Sequence, residues 1–190
     1  MVKIGVLALQ GDFKEHKQIL SQLDIQTKEV RLPSDLEGLS GLIIPGGEST
    51  TISKLMELYG LDKAIKAQHK KGMAIYGTCA GAIVIAKKII GETRFKPLGI
   101  ADIEIERNAY GTQVDSFETE LDVKGLGTVQ ASFIRAPILK KVGKGFEVLA
   151  KYNGKVVLAR QGNILIGTFH PEINGELKVH RYFAEMCKNK

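Results

Sequence analysis

The chain has 190 residues, 44% of them hydrophobic and 25% charged, with no low-complexity tract, block of like charge or internal repeat. That balance excludes a disordered or fibrous chain and fits one globular domain over residues 1–190 with a substantial core. The net charge of +6 raises nucleic acid as a partner, yet the lysines are scattered and no nucleic-acid motif accompanies them. A solvated basic surface is the favoured reading, with an acidic protein partner second.

Residues 2–9 are apolar, β-branched and uninterrupted, the pattern of a strand buried on both faces of a parallel sheet. This start is too short and wrongly flanked for a signal peptide, and no stretch is long enough to span a membrane. Two cysteines make no disulfide framework, so a reducing cytoplasm is the expected location. Gln10-Gly11-Asp12 forms a turn with Asp12 as N-cap, and Phe13, His16, Ile19, Leu20 and Leu23 follow at helical spacing. Residues 25–32 read as a second strand, closed by Pro33-Ser34-Asp35. Leu42-Ile43-Ile44 is a third, ending in Pro45-Gly46-Gly47. Ser49, Thr50 or Thr51 is expected to cap the next helix, which carries Ile52, Leu55, Met56 and Tyr59. Gly60 breaks it, and residues 61–70 form a further helical piece.

The strand 73–76 then meets Gly77-Thr78-Cys79-Ala80-Gly81, and residues 82–86 continue as a helix. Gly-x-Cys-x-Gly between strand and helix is the cysteine form of a nucleophile elbow, a sharp turn that lifts the side chain above the sheet. A helix N-terminus beneath the sulfur favours thiolate. A free cysteine is also a good small hydrophobe, so the elbow alone leaves both readings open. Strands alternating with helices, each turn at a strand's C-terminal end, predict a three-layer doubly wound, mostly parallel α/β sheet.

After Gly91 the pattern becomes β-rich and partly antiparallel: residues 100–106, 113–121, 128–134, 146–151, 155–159 and 163–169 read as strands, with Asn153-Gly154 a hairpin turn. An amphipathic helix over 175–187 closes the chain, with Cys187 structural or exposed.

His170-Pro171-Glu172 ends the last strand. Residues i and i+2 of a strand share a face, so imidazole and carboxylate are expected side by side at the sheet edge that carries the elbow. Cys79, His170 and Glu172 then read as nucleophile, base and orienter. Glycines at the tip of the neighbouring strand allow Gly47 N–H, with Ala80 N–H, to hold an oxyanion. The rival is a phosphate loop. Glu48 argues against it, as does the missing Gly-Lys-Ser/Thr. The four histidines, 16, 69, 170 and 180, are dispersed, so neither a metal nor an organic cofactor is expected.

GTCAGAI with TFHPE resembles the class I, triad-type glutamine amidotransferases. LALQGD at Leu7–Asp12, PGGESTT at Pro45–Thr51, ERNAYG at Glu106–Gly111, QVDSFE at Gln113–Glu118 and FIRAP at Phe133–Pro137 are similar, more narrowly, to the glutaminase subunits of pyridoxal 5'-phosphate synthase. The likeness covers nearly the whole chain and implies a flavodoxin-like sheet. One departure is Thr112, where the family pattern has arginine. The resemblance implies that L-glutamine lies against Gly47, Glu48 and Ser49, with Arg107 and the Ile134-Arg135 pair completing the pocket. Asn108, Gln10 and His16 are placed on a partner-facing surface.

The implied reaction is glutamine hydrolysis through a γ-glutamyl thioester, giving glutamate and ammonia. The implied partner is a (β/α)₈-barrel synthase, in a complex with twelve of each subunit. Alternatives are a glutaminase serving another synthase, such as that of imidazole glycerol phosphate, a cysteine peptidase or hydrolase on the same fold, and a binding module with a relic site.

Overall fold

In the computed structural model, which describes residues 2–91, 94–107 and 116–188, the first half follows the expected alternation. It runs β1 (Lys3–Leu7), α1 (Phe13–Gln22), β2 (Gln26–Val30), β3 (Gly41–Ile44), α2 (Ser49–Leu58), α3 (Leu61–Lys70) and β4 (Ala74–Thr78). A short 3₁₀ turn over Pro33–Leu36 follows β2. After the elbow, α4 (Ala80–Ile85) starts two residues earlier than expected and gives way at Ala86 to a strand, β5 (Ala86–Ile90). The β-branched run Ile83-Val84-Ile85 and the apolar pair Ile89-Ile90 give this segment as much strand character as helix, so packing decides where one yields to the other.

The second half comprises β6 (Ala101–Glu106), β7 (Phe117–Val123), β8 (Gly127–Phe133), β9 (Ile138–Val142), β10 (Glu147–Tyr152), β11 (Lys155–Gln161), β12 (Ile164–Gly167) and α5 (Lys178–Lys188). The sequence pattern missed β5 and β9, which flank β6 in a small separate sheet. Of the strand expected over 113–121, residues 113–115 lie outside the described residues, as do Asn108 and Thr112.

The main sheet has the order β10-β11-β12-β4-β3-β1-β2. Its five strands β2, β1, β3, β4 and β12 are parallel, and β11 and β10 add antiparallel at one edge. The order 2-1-3-4 is flavodoxin-like, with the topological switch between β1 and β3. Alternate side chains feed two cores, as both faces of this sheet are covered. Leu42, Ile44, Ile75, Ile164 and Ile166 face α2, α3, α4 and the small sheet. Ile4, Val6, Ile43, Tyr76 and Leu165 face the other way, with Leu20, Phe183 and the β7–β8 hairpin. Cys187 is buried in that second core. Among the described residues no helix is long and apolar enough to cross a membrane.

Candidate active site

Loops leaving β1, β3, β4 and β12 meet above their C-terminal ends, the edge where open α/β sheets bind ligands. Cys79 sits between β4 and α4 with φ 46° and ψ −104°, a conformation that costs about 1–3 kcal/mol and persists only where the surroundings impose it. Two contacts impose it here. The Cys79 N–H donates to the Gly167 carbonyl at 2.9 Å, tying the elbow to β12. One turn on, a Cβ at Gly81 would lie 1.9 Å from the Ile44 carbonyl oxygen, so only glycine lets α4 leave the elbow against β3. Sγ of Cys79 faces the Ile134 carbonyl at 3.9 Å. The His170 ring stands beside the sulfur as its charged partner.

His170 arrives differently from the expectation. Strand β12 ends at Gly167, and His170 and Glu172 lie beyond it rather than on one strand face. The His170 N–H donates to the Ser132 carbonyl at 2.8 Å in an isolated bridge, and Phe169 packs on Phe133 at 5.7 Å between ring centroids. The β7–β8 hairpin thus grips the segment just before the imidazole, and Pro171 turns the chain so that Glu172 folds back beneath it. Nδ1 of His170 and Oε1 of Glu172 are 2.8 Å apart.

Asp12 Oδ2 lies 3.4 Å from the same nitrogen, a contact that sequence reasoning missed. Asp12 stands at the N-cap of α1, but its carboxylate makes no capping hydrogen bond. Burial disfavours the His170 imidazolium, but hydrogen bonds to Asp12, Cys79 and Glu172 outweigh it and push the pKa up to about 12. Burial pushes the Glu172 carboxyl upward, opposed by His170. Donor atoms of Asp12, His170 and Glu172 all fall within 4.8 Å of one another, a cluster that the dispersal of histidines along the chain concealed. The 2.8 Å imidazole–carboxylate separation is that of a hydrogen bond.

A cleft of about 450 Å³ opens in front of the sulfur. It is lined by Gly47, Glu48, Ser49, Cys79, Ala80, Arg107, Ile134, Arg135 and His170, together with Asp12, Ile83 and Ile173. Glu172 stays behind the imidazole. The expected helix caps are corrected: Glu48 itself caps α2, accepting from Thr50 N at 3.1 Å and Thr51 N at 2.7 Å. Its Oε1 also pairs with Arg107 Nη2 at 3.1 Å. Although partial burial opposes ionisation, the donors of Thr51 and Thr50 hold the carboxyl down at about 2. Arg107 further donates to Thr50 Oγ1 at 3.2 Å and lies 5.9 Å from the Phe95 ring centroid.

Of the residues assigned to a partner-facing surface, Gln10 stays half-exposed and His16 does not. Gln10 Oε1 accepts the Glu48 N–H at 2.7 Å and braces the glycine loop, where Gly47 has φ 144°. His16 is fully buried behind Glu172. Its place in the apolar stripe of α1 was the available signal for burial.

Attack on an amide carbonyl needs an activated nucleophile, a proton carrier beside it and N–H groups where negative charge develops. A 2-1-3-4 sheet that carries a thiol on its elbow and a carboxylate-backed imidazole just past the end of the adjacent strand has the architecture of a class I glutamine amidotransferase. A crystal structure of a glutamine amidotransferase superposes with a TM-score of 0.94 at 50% identity, over 97% of this chain and 98% of that one. More narrowly, the chain belongs to the SNO glutamine amidotransferase family, whose model matches residues 6–189. It is 52% identical over 185 residues to the pyridoxal 5'-phosphate synthase subunit PdxT of Thermus thermophilus, covering 97% of each chain. It is 53% identical over 191 residues to the PdxT subunit of Dehalococcoides mccartyi, covering 98% of each. The fold extends to PurLQS from Thermotoga maritima, with a TM-score of 0.76 at 14% identity over 97% of this chain and 98% of that one.

Proposed function

We propose that this chain, as one domain over residues 1–190, hydrolyses L-glutamine to L-glutamate and ammonia as the glutaminase subunit of pyridoxal 5'-phosphate synthase. The observation that carries the reading is the 2.8 Å His170–Glu172 pair against Cys79 at the head of the cleft, in a chain about half identical to PdxT subunits over nearly its whole length.

The Cys79 thiolate attacks Cδ of the side-chain amide. Its proton resides on His170, whose imidazolium Glu172 orients and supports. The N–H groups of Gly47 and Ala80 hold the oxyanion. His170 gives the proton to the departing nitrogen as the C–N bond breaks, releasing ammonia and leaving the γ-glutamyl thioester. The ring, now neutral, takes a proton from water, the hydroxide attacks, and the C–S bond breaks to release glutamate and thiolate. Arg107 and Arg135 supply positive charge for the substrate's α-carboxylate, Glu48 accepts from its α-ammonium, and Ser49 and Ile134 complete the wall.

The ammonia passes to a (β/α)₈-barrel synthase subunit, in a cytoplasmic assembly with twelve of each chain. Neither nucleic acid nor membrane takes part. The motifs PGGESTT and FIRAP favour this acceptor over imidazole glycerol phosphate synthase. The substitution Cys79→Ala tests the reading: glutaminase activity should be abolished while binding to the synthase persists. Retained glutamine hydrolysis would remove Cys79 as nucleophile. Peptide or ester cleavage without glutamine preference would favour the hydrolase reading.

A further inference from the structure

Behind the triad lies a buried polar group that the reaction just described does not use. His16 from α1 and His180 from α5 are both fully buried, with His16 Nδ1 and His180 Nε2 2.8 Å apart. The other nitrogen of His16, Nε2, is 3.2 Å from Thr78 Oγ1 and 3.4 Å from Glu172 Oε1. Glu172 has no side-chain exposure, its Oε2 has no partner among the described residues, and its Oε1 already accepts from His170. A buried carboxylate with so few donors tends to take up a proton. A protonated Glu172 would no longer stabilise the imidazolium of His170.

We propose that His16 and His180 are positioning residues of the triad: His180 locks His16 in the tautomer with its proton on Nε2, and that N–H faces the buried side of Glu172 and keeps the carboxylate ionised. The inference rests on the glutaminase reading above.

The tautomers follow from one another. For Nε2 of His16 to present a proton to Glu172 and Thr78, Nδ1 must carry a lone pair. Nδ1 then accepts from His180 Nε2–H. This leaves His180 Nδ1 bare, in keeping with its lack of a hydrogen-bond partner, because an orphaned acceptor is tolerated better than an orphaned donor. The opposite assignment turns a lone pair of His16 toward Glu172 Oε1 at 3.4 Å, two acceptors face to face. The Glu176 carbonyl faces the His180 ring and favours that opposite tautomer, but it completes no hydrogen bond to Nδ1. The anion at the other end of the chain therefore decides.

Burial keeps both rings neutral, His16 because it cannot share charge with the adjacent His180 and lies near the His170 imidazolium, and His180 down at about 3. The pair thus supplies a fixed dipole and no net charge. The titratable groups facing Glu172 are His170 on its own segment, Asp12 from the β1–α1 loop, His16 from α1 and Tyr76 from β4. Of these, Asp12 repels the carboxylate and the Tyr76 phenol, kept neutral by burial, offers it no cationic support.

Two experiments on the full chain test the proposal. Two-bond ¹H–¹⁵N correlation spectra of histidine-labelled protein at neutral pH should show both His16 and His180 protonated at Nε2. A proton on His16 Nδ1 would overturn the inference, whatever the enzyme's substrate. In glutaminase assays with the synthase subunit present, His16→Leu should lower kcat about 10- to 100-fold, the size of a lost hydrogen bond to a charged group, with KM changed less than about twofold. Its acidic limb should move to higher pH, because Glu172 then holds its proton longer. His16→Gln, which keeps an N–H, should restore most of the loss and return the limb. Equal behaviour of Leu and Gln variants, or an unmoved limb, would reduce the pair to packing. If the wild-type chain with its synthase hydrolyses no glutamine, the glutaminase reading fails, whereas normal wild-type turnover with an equally active His16→Leu enzyme sinks only this inference.

Discussion

His170 carries more of the site's electrostatics than any other side chain. Its proton is held by anions on two sides, Glu172 at 2.8 Å and Asp12 at 3.4 Å from one nitrogen, with the sulfur of Cys79 beyond. Its pKa is raised, so the folded protein keeps a proton that the unfolded chain releases. The resulting stabilisation is complete below the ordinary value of 6.5 and is lost as pH rises toward about 12. The imidazolium form persists over the same range. Asp12 is one-third exposed, so its share is moderated by solvent. Asp12→Asn should therefore lower the titration midpoint of the His170 ring by about one unit, followed by NMR. An unmoved midpoint would leave Glu172 as the sole carboxylate support. Asp12 was legible as a turn residue and N-cap in Gln10-Gly11-Asp12, yet its partner is 158 positions away. No local pattern reports such a contact.

At the scale of elements, α2 shows how one residue serves both fold and site. Glu48 satisfies the first N–H groups of the helix through Thr50 and Thr51 while holding Arg107 at the cleft wall. Sequence preference pointed to Ser49, Thr50 or Thr51 as the cap because short hydroxyl side chains dominate such positions. The tight Pro45-Gly46-Gly47 turn instead presents the preceding glutamate. Glu48→Ala should cost about 1 kcal/mol of stability, a few degrees in the melting midpoint, and should raise KM for glutamine. Glu48→Asp should recover the melting midpoint, since aspartate caps well, but not KM, since the shorter side chain retracts from Arg107. Recovery of both together would separate Glu48 from substrate binding. The β7–β8 hairpin plays a similar double part. It carries Ser132, which fixes the His170 backbone, and it leads directly to Ile134 and Arg135, the latter at φ 45°.

For the molecule as a whole, the cleft opens at the sheet edge with Ile134 and Ile173 exposed at its wall, 37% and 44% respectively. Ammonia set free in water is protonated and loses its nucleophilicity, which is the reason for proposing that the synthase docks over this opening. The Glu48 N–H next to the glycine loop is engaged by Gln10, and we propose that docking of the synthase resets this loop for oxyanion binding. Glutamine turnover should rise about tenfold or more when the synthase subunit is added. Equal turnover with and without it would count against partner activation.

Local chemistry by itself determined the alternation of β1 to β4 with their helices, the elbow at Cys79 and the pairing of His170 with Glu172, because hydrophobic period, glycine spacing and a proline between two polar residues act within a few positions. Only the tertiary structure decided that α4 gives way to β5, that Asp12 joins the imidazole, and that His16 turns from the surface to the back of the triad. Each of these depends on which distant backbone or side chain satisfies a buried polar group or fills the space beside it. That is settled when the sheet order brings β1, β3, β4 and β12 to one rim.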